Sequence, residues 1–139
     1  MVMLITGEKG KGKTKHLLDK VNSEIKDIKG SVVFLDKSAK HMFELNNRIR
    51  LIDVSEYSLK DPDEFAGFIS GIISQDHDLE QIYVDNLLKL SNASDEEIEP
   101  LIDRLDDIGK KWGVDLVINI SKDEKELSEG VRKRIIISL

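Results

Sequence analysis

"MVMLITGEKGKGKTKHLL", residues 1–18, decides how the rest of the chain is read. Val2–Thr6 is short, continuous, apolar and bounded by glycine, the pattern of a buried strand. Leu17, Leu18, Val21, Ile25 and Ile28 then recur at helical spacing, and Gly30 stands where that helix would stop. Between strand and helix lies Gly7-Glu8-Lys9-Gly10-Lys11-Gly12-Lys13-Thr14, which fits the spacing G-x-x-x-x-G-K-[ST]. Glycine at 7, 10 and 12 lets the backbone take positive φ and approach an anion with no Cβ in the way. Successive amides then converge into a nest, and the helix beginning near Lys13 adds free N–H groups and the positive end of its dipole. The competing reading is a solvated Gly/Lys turn, which would not require a buried strand before it and a helix after it.

Outward from this stretch, apolar β-rich runs alternate with helical patterns. "SVVFLD" (residues 31–36) reads as a second strand, and "RIRLIDV" (residues 48–54) alternates with period two, as a shorter edge strand does. Asp61-Pro62 opens a helix whose core face is Phe65, Phe68, Ile69, Ile72 and Ile73. "QIYVDNLL" (residues 81–88) is the next strand. "SDEE" (residues 94–97) has the form of a capping box, and Ile98, Leu101, Ile102, Leu105, Ile108 and Trp112 carry its stripe onward. Pro100 places the start of the regular helix close to itself or bends the first turn. "VDLVINIS" (residues 114–121), a short helical stretch over residues 127–134 and a closing strand "IIISL" complete the chain. Strands that are apolar throughout and alternate with helices predict a parallel sheet covered on both faces, hence an α/β, three-layer α/β/α fold in a single domain, residues 1–139.

Bulk properties narrow the function. The chain has 139 residues, net charge −6 and 35% charged residues, a balance that does not indicate a general nucleic-acid or membrane-surface binder. It has no cysteine, which removes disulfides and thiolate metal sites. His16, His41 and His77 are scattered and read as surface or packing residues rather than ligands. No apolar run reaches the roughly 20 residues needed to span a bilayer, and the amino terminus lacks a signal-peptide layout. The expectation is a soluble, cytoplasmic protein.

"IYVD" places Asp85 at the end of a run that reads as a buried strand, the position from which a carboxylate can hold Mg²⁺ through water. Gly7–Thr14, Asp85 and the order of strands and helices together resemble the P-loop NTPases, in particular a minimal RecA-like domain. The resemblance covers the whole chain in architecture, but its specific motifs cover only Gly7–Thr14 and Val84–Asp85. It implies a mainly parallel, five-stranded sheet of order 5-1-4-3-2. It also implies that Gly7, Glu8, Lys9, Gly10, Lys11, Gly12, Lys13, Thr14 and Lys15 bind a nucleoside triphosphate, ATP by default. Lys13 then reaches the outer phosphates, while the Thr14 hydroxyl and Asp85 hold Mg²⁺. Ser121, or failing that Asn119, matches the residue that senses the terminal phosphate; Ser121 reads equally well as an ordinary strand terminus. "NISKD" at Asn119 lacks the second-place lysine of a guanine-reading signature.

The chain departs from the family pattern in two places. Where many such enzymes carry a water-activating glutamate after the Asp, this chain has Asn86, which can orient water but cannot take its proton at neutral pH. Asp36 stands where RecA-like proteins can carry that carboxylate instead; an Asp there also serves as an ordinary turn residue. For positive charge in the transition state, "VRKR" (residues 131–134) precedes the last strand, where RecA-like oligomers reach a neighbour's nucleotide, and basic residues there equally complement a helix dipole. The expected function is an ATP-binding, Mg²⁺-dependent protein that hydrolyses slowly or with a partner, either a second copy or another protein. The alternatives are adenosyl or phosphoryl transfer on the same core, and a non-catalytic nucleotide switch that meets its partner through the acidic face at residues 95–107.

Overall fold

The computed structural model describes residues 1–139, ordered as β1 (Val2–Thr6), α1 (Lys13–Glu24), β2 (Ser31–Asp36), β3 (Ile49–Asp53), α2 (Pro62–Ser74), β4 (Leu79–Val84), α3 (Leu87–Ser91), α4 (Ile98–Trp112), β5 (Asp115–Ile120), α5 (Glu129–Arg132) and β6 (Ile135–Ser138). The six strands form one sheet in the order β3-β2-β4-β5-β1-β6, and each neighbouring pair is parallel. Helices cover both faces, so the fold is three-layer α/β/α. The expected five-stranded sheet of order 5-1-4-3-2 is corrected on both counts. Residues 49–53 pair with β2 in parallel from Val32↔Ile49 to Asp36↔Asp53 and add a sixth strand at the sheet edge, which renumbers every strand after it. An edge strand needs one neighbour and one buried face. Ile49 is buried and Arg50 exposed, in keeping with the period-two pattern. Arg48 pins the entry to β3 by donating to the carbonyls of Ile25 at 3.0 Å and Ile28 at 2.8 Å, where α1 has run out.

Alternation along the strands sorts the core into two slabs. Val2, Leu4, Val33, Leu35, Ile82, Val84, Leu116 and Ile118 face α2 and α4, which supply Phe65, Ile69, Ile102 and Leu105. Ile5, Val32, Phe34, Tyr83 and Val117 face α1, which supplies Leu17, Val21 and the following Ile25. Phe34 and Tyr83 stack there with ring centroids 6.4 Å apart.

The helix starts carry local signatures. Asp61 accepts from the Glu64 amide at 2.9 Å and Pro62 opens α2; the box at residues 94–97 closes as a 3-10 turn from which α4 continues. Two expectations are revised. β4 ends at Val84, because Asn86 takes a positive φ of 68° and starts the short α3, so residues 85–88 are turn and helix rather than strand. Trp112 does not join the core: it ends α4 at 61% exposure, next to Gly113, whose left-handed backbone turns the chain back toward β5.

Candidate functional site

Because all strands run the same way, their carboxyl ends share one edge of the sheet, the edge at which parallel α/β sheets bind ligands. Each central strand delivers a polar residue there. The loop after β1 leads into α1; β2 ends at Asp36; Asp85 follows β4; Asn119 and Ser121 come at the end of β5. The register sets Leu35 beside Val84, and the Asp85 amide donates to the Leu35 carbonyl at 2.9 Å, so Asp36 and Asp85 emerge side by side.

The loop is built on left-handed backbone at Gly10 (φ 89°) and Gly12 (φ 90°). A Cβ at either position would meet nothing within 4 Å; glycine is required there by conformation, not by crowding, and the space beside it is open. Gly12 immediately precedes α1, and no side chain caps that helix start. Its first-turn amides are therefore free for an anion. Gly7 answers a different need: a Cβ there would crowd the Leu139 Cβ at 3.0 Å and force it to shift, and the φ of 153° is one that side chains rarely adopt.

Lys13 is only 7% exposed and its Nζ donates to the Glu8 carbonyl at 3.0 Å. Burial pushes its pKa below the ordinary value, and the nearby Asp85 charge offsets this only in part. The Thr14 hydroxyl donates to both carboxylate oxygens of Asp85, at 3.1 and 3.3 Å. Asp85 also accepts from the Asn119 side-chain amide, whose carbonyl oxygen in turn accepts from the Asn86 backbone N–H. Asn119 is thus the bracket that aims Asp85, while Ser121 lies half-buried on the cleft wall. The Asn86 side chain caps α3 by accepting from the Lys89 amide at 3.4 Å.

Asp36 is 2% exposed. One carboxylate oxygen accepts from the Lys37 amide at 2.7 Å, and the other has no partner. Burial, then the Asp85 charge, raise its pKa above the ordinary value. His41, whose Nδ1 meets the Glu44 carboxylate, brings a ring nitrogen into the same space: ligating atoms of Asp36, His41 and Asp85 all lie within 4.8 Å of one another. Two sets of donors could hold a divalent cation, the Thr14–Asp85 pair and this trio.

These groups line a cleft of about 250 Å³ with no hydrophobic residue in its wall. Lys9, Gly10, Gly12, Lys13 and Thr14 come from the loop and α1; Asp36, Asp85, Asn86, Asn119 and Ser121 come from strand ends; Lys37, Lys40, His41 and Lys89 complete it. Of the residues expected in the cradle, Gly7, Glu8, Lys11 and Lys15 are not in the wall. Glu8 supplies the carbonyl that holds Lys13, and Lys15 pairs with Asp19 at 3.1 Å. Arg134 of "VRKR" is committed to Asp103 at 2.9 Å and Asp106 at 3.2 Å. Sequence reading did not single out Lys37, Lys40 or Lys89, and it took His41 for a surface or packing residue, whereas the fold brings its ring beside Asp36 and Asp85. Lys37 directly follows a strand-end Asp and Lys89 lies one helical turn beyond another, which was the only available signal. Lys37 and Lys89 also border a second cavity of about 310 Å³ lined by Val54, Ser55, Tyr57, Leu59 and Leu90.

Strand order and the helical layers define a RecA-like α/β/α fold. A crystal structure of a KaiC-like protein from the hyperthermophilic archaeon Pyrococcus horikoshii shares it, with a TM-score of 0.67 over 95% of this chain and 67% of that one, at 16% identity. At that identity the likeness shows the fold alone. No protein-family model and no curated protein matches the chain. No helix is long and apolar enough to cross a membrane.

Proposed function

We propose that the chain binds ATP with Mg²⁺ through residues 7–15 and hydrolyses it slowly or with a partner. The observation that carries this reading is the buried seat of Lys13, which forms no ion pair and is only partly offset by the nearby Asp85 charge. An ammonium is held in the cleft with one carbonyl partner, beside uncapped helix amides and a Thr14–Asp85 pair. Burying a charge without a full counter-charge is costly, and an anion in the cleft removes that cost. The donor set also fits a magnesium ion, since a hydroxyl and a carboxylate oxygen are hard ligands. Bound between Thr14 and Asp85, the ion would neutralise charge on the phosphates.

The chain's own groups then divide the work. Amides at Gly10–Thr14 and the Lys13 ammonium hold the phosphates, Asn119 keeps Asp85 aimed, and Ser121 faces the same cleft. In hydrolysis the water oxygen forms the new bond to the terminal phosphorus. The bond from that phosphorus to the diphosphate breaks, its electron pair staying on the diphosphate oxygen. The water proton passes to the unpartnered oxygen of Asp36, whose raised pKa suits it to accept. Asn86 orients water at most.

Titration of the purified chain with Mg·ATP, Mg·ADP and Mg·GTP, followed by thermal shift and phosphate release, tests the proposal. Stabilisation by ATP that is lost in Lys13→Ala, with release lost alongside it, is the expected result; no stabilisation by any nucleotide overturns it. Binding without release in the unaltered chain would favour the non-catalytic switch. A second reading, transfer of a phosphoryl or adenosyl group to a small acceptor, is favoured by the cavity of Val54, Ser55, Tyr57, Leu59 and Leu90, which adjoins the cleft and has the partly apolar wall an acceptor needs.

A further inference from the structure

Lys37 and Lys89 belong to no element of the phosphate loop, yet both line the cleft that holds Lys13, Asp36 and Asp85. Lys37 immediately follows β2; Lys89 lies in α3, four residues past Asp85. Their ammonium groups come close enough to press on each other, and with Lys9 and Lys40 adding charge, the Lys89 pKa falls below its ordinary value. Neither has a carboxylate partner. The ion pairs of the chain engage Lys15, Lys20, Lys110, Lys122, Arg104 and Arg134, and none includes Lys9, Lys37, Lys40 or Lys89. A chain with 27 acidic residues thus leaves like charges together at one place on its surface. Such a grouping is unfavourable until an anion lies between the charges, when each repulsion is replaced by two attractions.

The sheet order says which anion. From the phosphate loop at β1 the strands run β5, β4, β2 toward Asp85, Asp36 and Lys37. On the other side of β1 lies β6, where Gly7 packs on Leu139 and no lysine enters the cleft wall. A nucleotide with its inner phosphates on the loop amides has its most charged end favoured on the lysine side.

We propose that Lys37 and Lys89 form a second anion seat, supplied by the same chain, for the terminal phosphate of the bound triphosphate. The seat rests on the ATP reading and deepens it. It supplies positive charge that one of the two readings of "VRKR" would bring from a neighbour; in that stretch Arg134 is already paired with Asp103 and Asp106. With both lysines beside the terminal phosphate, the charge that spreads over its equatorial oxygens during transfer is met without a second copy.

Calorimetric titration of the full chain with Mg·ATPγS and Mg·ADP tests this, comparing Lys37→Ala/Lys89→Ala with Lys37→Arg/Lys89→Arg and repeating each at two chain concentrations. The alanine pair is expected to lose about tenfold in ATPγS affinity, the scale of a lost charge-assisted contact, while ADP affinity stays within about twofold. The arginine pair restores ATPγS binding, and the affinities do not depend on chain concentration. Equal losses for both nucleotides, or no loss for either, overturn the seat while leaving nucleotide binding by the phosphate loop intact. Affinity for ATPγS that rises with chain concentration overturns the same-chain assignment. An unaltered chain that binds neither nucleotide overturns the seat and the ATP reading together. Both lysines are exposed, so a matching thermal midpoint in the variants separates lost binding from lost folding.

Discussion

Asp36 illustrates, at the scale of one residue, how the cleft sacrifices stability. Its carboxylate is buried with an oxygen unpartnered, next to a second buried carboxylate, and its pKa is raised. A carboxyl whose folded pKa lies above its unfolded value binds its proton more tightly when folded. Its ionisation therefore costs nothing below the ordinary value of 3.8, costs progressively more as pH rises through the window up to the raised value, and costs the full amount above it. Asp36→Asn should then raise the thermal midpoint at pH 7.5 by about 3–5 °C, roughly 1 kcal/mol, with the gain shrinking toward pH 4. A midpoint that is lower at pH 7.5, or a gain that does not shrink on acidification, would contradict the account. In the sequence, Asp36 could be placed at a strand end, and both of its readings stayed open there. Its burial and its neighbour Asp85 come from strands that are 49 residues apart in the chain (85 less 36) and adjacent in the sheet.

At the scale of the element, α4 shows local and non-local causes side by side. Its start is written in the sequence: Ser94 and Glu97 satisfy one another's backbone amides. Its seat against β5 is not. Gly109 lets the helix come down on the chain where it returns, and a Cβ there would stand 2.6 Å from the Val114 carbonyl oxygen and 2.8 Å from the Leu116 side chain. Gly109→Ala improves helix propensity yet should destabilise the chain by about 2 kcal/mol, because backbone must move to admit the methyl. Chemical denaturation should show the midpoint falling with an unchanged slope; a stabilised variant would mean that helix propensity dominates. A cap, by contrast, acts within its own helix. Asp61→Ala removes the acceptor of the Glu64 amide and should cost about 1 kcal/mol, read as faster amide exchange in the first turn of α2. Unchanged exchange there would mean that the cap contributes nothing. Trp112 marks the limit of pattern reading: it continues the apolar spacing of α4, but the helix ends beside it.

On the scale of the whole molecule, one carboxylate ties the amino terminus, α4 and the approach to β6 together. Asp106 in α4 accepts from the Val2 amide at 2.9 Å and from Arg134 at 3.2 Å, and pairs with Lys110 at 3.0 Å. Burial pushes its pKa up, but the Val2 amide, Lys110 and Arg134 outweigh burial and hold it below the ordinary value. The sign is opposite to that of Asp36: this stability is present above the unfolded carboxylate value and is lost as pH falls through the folded one. Asp106→Asn should cost about 3 kcal/mol at pH 7, the range for breaking a buried pair, and the difference from the unaltered chain should narrow on acidification below about pH 4. A constant difference across that range would show that charge is not the cause.

The chain by itself determined the class of fold and the strand–loop–helix unit of residues 1–24, because buried strands, glycine at left-handed positions and helix starts depend on neighbours within a few residues. It also placed Asp85 at a strand end. It marked residues 48–54 as an edge strand, but it did not determine the order β3-β2-β4-β5-β1-β6, the bracket of Asn119 on Asp85, or the meeting of Lys37 with Lys89. Those follow from which strands lie side by side, a choice made by the collective packing of both faces of the sheet, and no local run of residues carries it.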